Sequence, residues 1–242
     1  MGIAEYRKAF LAGVIAQFAS YGAEFLIIWI VMERFTSING WGQYEVLLLY
    51  AFNLLTYALA SFFLFNPTTH LPLMIKNGTF DEVLTKPLNN FLYLVCREFN
   101  SAYISHSALS IFVIWICFYQ LGYVFSITSF ILLLIMILGG ALIQGAFLII
   151  TAVPAFWVVE NSGLRNIFFF KAKDFIRYPI SIYNKVIQFL LTFILPYAFI
   201  NFFPAQLFIS KQDYSSFHPM FQYVTPIVGV FFFTIAMKRE QN

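Results

Sequence analysis

Residues 125–153 read FSITSFILLLIMILGGALIQGAFLIITAV, an apolar run without a single charged side chain. About 20 helical residues cross the ~30 Å hydrocarbon layer of a bilayer, so this stretch spans one with length left for tilt or projection. In lipid only a helix or a closed barrel satisfies every backbone group, and the run is continuous rather than alternating, so it is read as helix. The reading extends outward, because the whole chain is 61% hydrophobic and only 10% charged, unlike a soluble globular composition. Six spans are expected, at about 21–35, 46–65, 102–119, 125–153, 180–203 and 221–237. The result is an all-α polytopic membrane protein, a single transmembrane domain over residues 1–242. Ahead of the first span, Ile3, Tyr6, Phe10 and Val14 recur at spacings of three and four, which suits an interfacial helix over 3–20. Gln17 and the hydrophobic stretch that follows almost at once argue against a cleaved signal peptide.

Basic residues orient the spans. Arg7, Lys8, Lys76, Lys86, Arg97, Arg165, Lys171, Lys173, Arg177, Lys185, Lys238 and Arg239 share one side in this layout, and Arg34 and Lys211 the other. Both termini are therefore expected in the cytoplasm. The segment 160–179, with Leu164, Ile167, Phe168, Phe175 and Ile176 among four basic residues, reads as a second cytoplasmic amphipathic helix on anionic headgroups. Residues 204–219 are expected outside, as a loop or a re-entrant segment.

The longest polar interruption is the cytoplasmic loop 74–98, MIKNGTFDEVLTKPLNNFLYLVCRE. Thr79 and Glu82 have capping-box spacing, Gly78 permits a sharp entry and Pro87 forbids continuation. Phe80, Val83 and Leu84 share one face of the short helix, with Asp81, Glu82, Thr85 and Lys86 on the other. Two turns of helix do not stand alone, so this one must dock on its own membrane surface or on a partner.

Catalytic constellations are not found. There is no GxxxxGK[ST] phosphate loop, no HExxH and no GxSxG, and His70, His106 and His218 are scattered over a loop, a span and an external segment. Cys96 and Cys117 lack a CxxC partner, which leaves no sign of a zinc site or a redox pair. Polar side chains in or near the spans are few: Glu24, Asn53, His106, Gln144 and Gln188. Such groups mark a pathway, or else lie at headgroup depth and bond between helices. Gly139, Gly140, Ala141 and Gly145 put small residues on the fourth span, where helices can approach closely. Pro154, Pro196 and Pro226 can kink or end their helices. This pattern suits conduction or export with a motor elsewhere. An ATPase-independent carrier using Glu24 and His106, or an intramembrane lipid-modifying enzyme, remain the alternatives.

The run Ile75, Gly78, Phe80-Asp81, Leu84, Lys86-Pro87-Leu88-Asn89 resembles the segment after the second span of bacterial ATP-binding-cassette permeases of the type 2 exporter class. Phe175, Tyr178-Pro179, Ile182-Tyr183, Leu195-Pro196, Phe199 and Phe203-Pro204-Ala205 extend the resemblance over most of the chain. It implies a six-span permease in a bacterial inner membrane, coupled through Thr79–Pro87 to a separate nucleotide-binding ATPase, present as two copies. A second permease subunit, identical or homologous, would complete the path. No cofactor is implied in this chain, and ATP and Mg²⁺ belong to the ATPase. Membrane lipid is an expected partner and nucleic acid is not.

Overall fold

A computed structural model describes residues 3–35, 37–87, 89–158, 162–211 and 217–241, with only the backbone at 3–11 and 239–241. Among the described residues the chain is helical without strands, and four helices, or five counting one bent pair, are long and apolar enough to cross a membrane.

The first helix, α1 (Ile3–Arg34), is continuous. No break falls near residue 20, and the part long and apolar enough to cross includes Ala12–Arg34, so it reaches back beyond the expected first span. The side chains of the expected interfacial stripe at Ile3, Tyr6 and Phe10 lie outside the described set. A turn with an isolated bridge between Ile38 and Trp41 leads to α2 (Gln43–Lys76). This helix overruns the expected end at 65 and continues through Pro67 and Pro72. At 34 residues it is ~50 Å long, so one end projects past a ~30 Å core. Proline removes a backbone donor. On the turns around Pro67 the Thr68 and Thr69 hydroxyls donate to the Leu64 and Phe65 carbonyls at 2.6 and 2.8 Å.

The projecting end carries α3 (Phe80–Leu84) and α4 (Asn90–Arg97), the latter capped by the Asn89 side chain accepting from Leu92 N–H at 3.1 Å. Next come α5 (Tyr103–Gln120) and α6 (Ile127–Ala152), both matching expected spans. Helix α6 packs on α2 and on the last helix. Its glycines allow that: a Cβ on Gly139 would lie 2.8 Å from Pro226 Cα, and one on Gly140 the same distance from Thr56 Cγ2. Gly145 faces Leu64 and Phe233, while Ala141 is only half-buried.

Residues 162–183 depart from expectation. Helix α7 (Ser162–Arg165), a π-helical stretch over Asn166–Lys171 and α8 (Ala172–Phe175) do not lie flat at an interface. They run antiparallel to α2 along its length. Phe170 meets Phe65, Phe169 meets Tyr57, and Arg177 meets Tyr50. Farther on, the Ser181 carbonyl accepts from Asn39 Nδ2 at 3.3 Å in the α1–α2 turn. The segment thus traverses the bundle from the α3 end to the opposite end. Lys173 and Arg177 lie in the bundle wall, and Lys185 follows Ser181 at the far end, so these three leave the basic cluster assigned to the α3 end. Glu160 lies outside the described residues.

The expected fifth span is also redrawn. Helix α9 (Lys185–Phe189) passes into a π-helical turn over Leu190–Ile194, and the chain bends by 77° at Leu195-Pro196 before Tyr197–Ile209. The second arm includes α10 (Phe202–Ile209), and residues 196–206 are all buried. Tyr197 stacks on Phe147 at 4.7 Å, and Lys211 pairs with Glu45 beside the α1–α2 turn. Both arms therefore enter from the end opposite α3, as a hairpin whose second arm lies in the core while the first exposes Val186, Phe189 and Phe193. Residues 204–209, expected outside, belong to it, and 212–216 are outside the described residues. Helix α11 (Thr225–Gln241) starts beside Gly139, halfway along α6, where a Cβ on Gly229 would strike the Gly139 carbonyl.

Candidate functional site

Two places gather the residues singled out from sequence. At the projecting end, α3 is tied down by two of the three residues of its apolar face. Val83 is fully buried with Met74 and Leu94, and Phe80 packs edge-on against Phe156 at 5.6 Å. Leu84 does not join them and is 54% exposed, beside exposed Asp81 and Glu82. The expected capping box is not formed: Thr79 is in helical conformation, and its hydroxyl donates to the Met74 carbonyl at 3.3 Å. Gly78 makes the turn in the left-handed region at φ +72°, where residues with a Cβ are strained. Glu82 reaches forward instead, to Lys86 at 3.5 Å, a surface pair of little energetic weight. Pro87 follows the helix and is exposed, and Leu88 is outside the described residues.

Deeper in, a polar seam joins α1, α2, α6 and the 162–183 segment. Arg177 Nη2 donates to the Glu24 carboxylate at 3.1 Å and to Asp174 at 3.2 Å, and the Tyr50 hydroxyl donates to Glu24 as well. One turn along α2, Asn53 Nδ2 donates to the Lys173 carbonyl at 3.2 Å. Gln144 Nε2 donates to the Asn53 side-chain oxygen at 3.2 Å and to the Thr56 hydroxyl at 3.1 Å. A further turn on, Tyr57 lies beneath the Lys173 ammonium at 3.9 Å and near His106, whose ring meets Tyr21 at 4.2 Å. Four of the five polar residues marked in the spans thus lie along one face of α2. Gln188 is apart, donating to the Tyr183 carbonyl at 2.8 Å. Sequence reasoning missed Lys173 and Arg177, which it had placed at the membrane surface, and Asn201, whose Nδ2 donates to the Leu49 and Ile176 carbonyls at 3.1 and 2.5 Å.

Chemically the seam offers paired charges, tyrosines and amides. Among the described residues no group of three or more His, Cys, Asp or Glu side chains could hold a metal. Helices able to cross a membrane, joined around a polar seam and bearing a small anchored helix on a projecting end, define a polytopic membrane protein. The family described as ABC-2 family transporter protein matches residues 18–239, nearly the whole chain, and the chain belongs to it. It is thus a membrane permease of ABC transport, a class that works in association with an ATPase subunit. No curated protein and no solved structure matches it.

Proposed function

We propose that the chain is the membrane-spanning permease subunit of an ATP-driven exporter in a bacterial inner membrane. ATP is bound and hydrolysed, with Mg²⁺, by a separate nucleotide-binding ATPase present in two copies, and a second permease, identical or homologous, completes the path. Six crossings with both termini in the cytoplasm fit this reading. The 162–183 segment takes the place of the fifth span, and nine basic residues remain on the α3 side against Arg34, Lys185 and Lys211. The observation that carries the coupling role is the division of α3. Val83 and Phe80 fasten it to α2, α4 and residue 156, while Leu84, Asp81 and Glu82 face outward. A helix fixed on one side and presenting Leu84, Asp81 and Glu82 on the other passes a push from a docked motor directly into the long α2 rod.

The test places a photocrosslinker at position 84 in cells expressing the tagged chain. Capture of a chain that binds ATP in the purified adduct, and none from a crosslinker at Phe112 on α5, is expected. Capture of no ATP-binding chain from 84, 81 or 82 would overturn the coupling role.

A further inference from the structure

Between α1 and α5 the surface opens into a cleft of about 420 Å³, the size of an ordinary ligand pocket. Its lining is out of character for a wall facing lipid: Gln17, Ser20 and Tyr21 from α1, Asn100 from the turn before α5, and Tyr103 and His106 from the start of α5. The helix surface around it is apolar, with Ile15, Phe18, Ile104 and Ile111 exposed. The two helices meet where the Ser105 hydroxyl donates to Gln17 Oε1 at 2.8 Å and the Tyr21 ring meets His106 at 4.2 Å. Glu24 and the buried Phe25, Ile28 and Met32 hold α1 farther along, but most of its apolar window is unburied within the chain. Phe65 closes the floor near the middle of α2, so the cleft sits on the α3 side of the bundle.

Behind this wall lies a buried cation without a close ion pair, in a pocket it shares with Glu24, Asp174 and Arg177. The Lys173 ammonium is 3.9 Å from the Tyr57 ring centroid and 6.0 Å from that of Tyr21. Among the described residues no carboxylate forms an ion pair with it, because Glu24 and Asp174 are both turned to Arg177. Aromatic faces offset part of the cost of burying such a charge, but an anion would offset more. Lysine has a flexible four-carbon stem and can carry its ammonium past the ring of Tyr21.

We propose that this cleft receives an anionic amphiphile directly from the α3-side leaflet. The tail would stay against the apolar rim of α1 and α5, and the phosphate or carboxylate head would enter among Gln17, Ser20 and Asn100 to meet Lys173. This assignment of cargo class rests on the permease reading, yet binding requires no ATPase. An apolar or cationic compound would gain nothing from Lys173, and a free anion would leave the apolar rim unused.

The purified full chain, in nanodiscs of zwitterionic lipid, is irradiated with phosphatidic acid or phosphatidylcholine carrying the same diazirine tail, and adducts are mapped by mass spectrometry. Phosphatidic acid is expected to label the neighbourhood of residues 15–21 and 100–111 about tenfold more than phosphatidylcholine. Lys173→Gln should remove that preference and Lys173→Arg keep it. Should Lys173→Gln not fold, Ala16→Trp, on an exposed helix surface, serves to plug the mouth and should abolish labelling of both helices. Equal labelling by the two lipids, a preference unchanged by Lys173→Gln or by the plug, or protection by inorganic phosphate as effective as by unlabelled phosphatidic acid would overturn the assignment. Loss of labelling preference with ATPase capture intact would sink only the cargo class; the reverse result would sink only the coupling.

Discussion

Arg177 and Glu24 are 153 positions apart, yet the guanidinium of one lies 3.1 Å from the carboxylate of the other. This pair ties α1, the least packed helix, to the irregular segment that runs along α2. Tyr50 and Asp174 complete the arrangement, so each charge has more than one partner. Neither side chain is fully exposed, at 24% and 33%, so solvent only partly screens the interaction. Removing one partner strands the other.

Arg177→Gln and Glu24→Gln should each lower the melting temperature in detergent, and the double variant should lose less than the sum of the two. A coupling of about 0.5–3 kcal/mol is expected from a double-mutant cycle. Strict additivity would mean that the two residues hold α1 independently.

Helix α3 separates two roles at adjacent positions. Val83→Ala removes a fully buried side chain and should cost about 1–3 kcal/mol of stability, read as a lower melting temperature and less protein in the membrane. Leu84→Ala removes an exposed one and should leave both unchanged while weakening ATPase co-purification. A destabilised Leu84→Ala would assign that side chain to the bundle.

Much of this was legible in sequence, and the failures have identifiable causes. The run 125–153 is apolar throughout, and Ile127–Phe156 is a helix long and apolar enough to cross a membrane. Gly78 and Pro87 mark the start and stop of α3 because they act through the backbone alone. Thr79 misled because its hydroxyl could reach either its own helix or the end of the preceding one, and the Met74 carbonyl won. The 162–183 segment misled more. Four basic residues argue by hydropathy against a segment packed along α2, and only tertiary contacts offset two of them, Glu24 and Asp174 for Arg177 and the Tyr57 ring for Lys173. Two apolar arms flanking Pro196 read as one span because hydropathy is blind to a 77° bend. The polar seam was half visible: Glu24, Asn53, His106 and Gln144 stood out as polar among apolar neighbours, but nothing local joined them.

Close packing of α6 on α11 depends on missing Cβ atoms. Gly229→Ala should cost about 1–3 kcal/mol, since the added methyl meets the Gly139 carbonyl and a backbone atom cannot step aside. Gly22→Ala, also within a helix but with nothing inside 4 Å, should be neutral or mildly stabilising. Thermal melts of the two variants side by side check this, and equal shifts would remove the steric account.

Asn201 gives the sharpest prediction because charge and shape can be separated there. It is 1% exposed, and its amide nitrogen donates to the Leu49 carbonyl on α2 and the Ile176 carbonyl on the traversing segment. One NH₂ therefore joins the buried arm of the hairpin to both α2 and the traversing segment. Asn201→Leu loses these bonds and leaves the Ile176 carbonyl without that donor, for about 1–3 kcal/mol. Asn201→Asp keeps the shape but turns an oxygen toward two carbonyl oxygens. That forces either a buried unpaired charge or an uptake of a proton, so it should be the more damaging of the two despite being nearly isosteric. The ordering Asp below Leu below wild type in melting temperature is the expected outcome at neutral pH, with the Asp variant recovering toward the Leu variant as the pH falls and its carboxyl is protonated. An aspartate variant as stable as wild type at neutral pH would mean that Asn201 does not bridge the hairpin, α2 and the traversing segment through its amide.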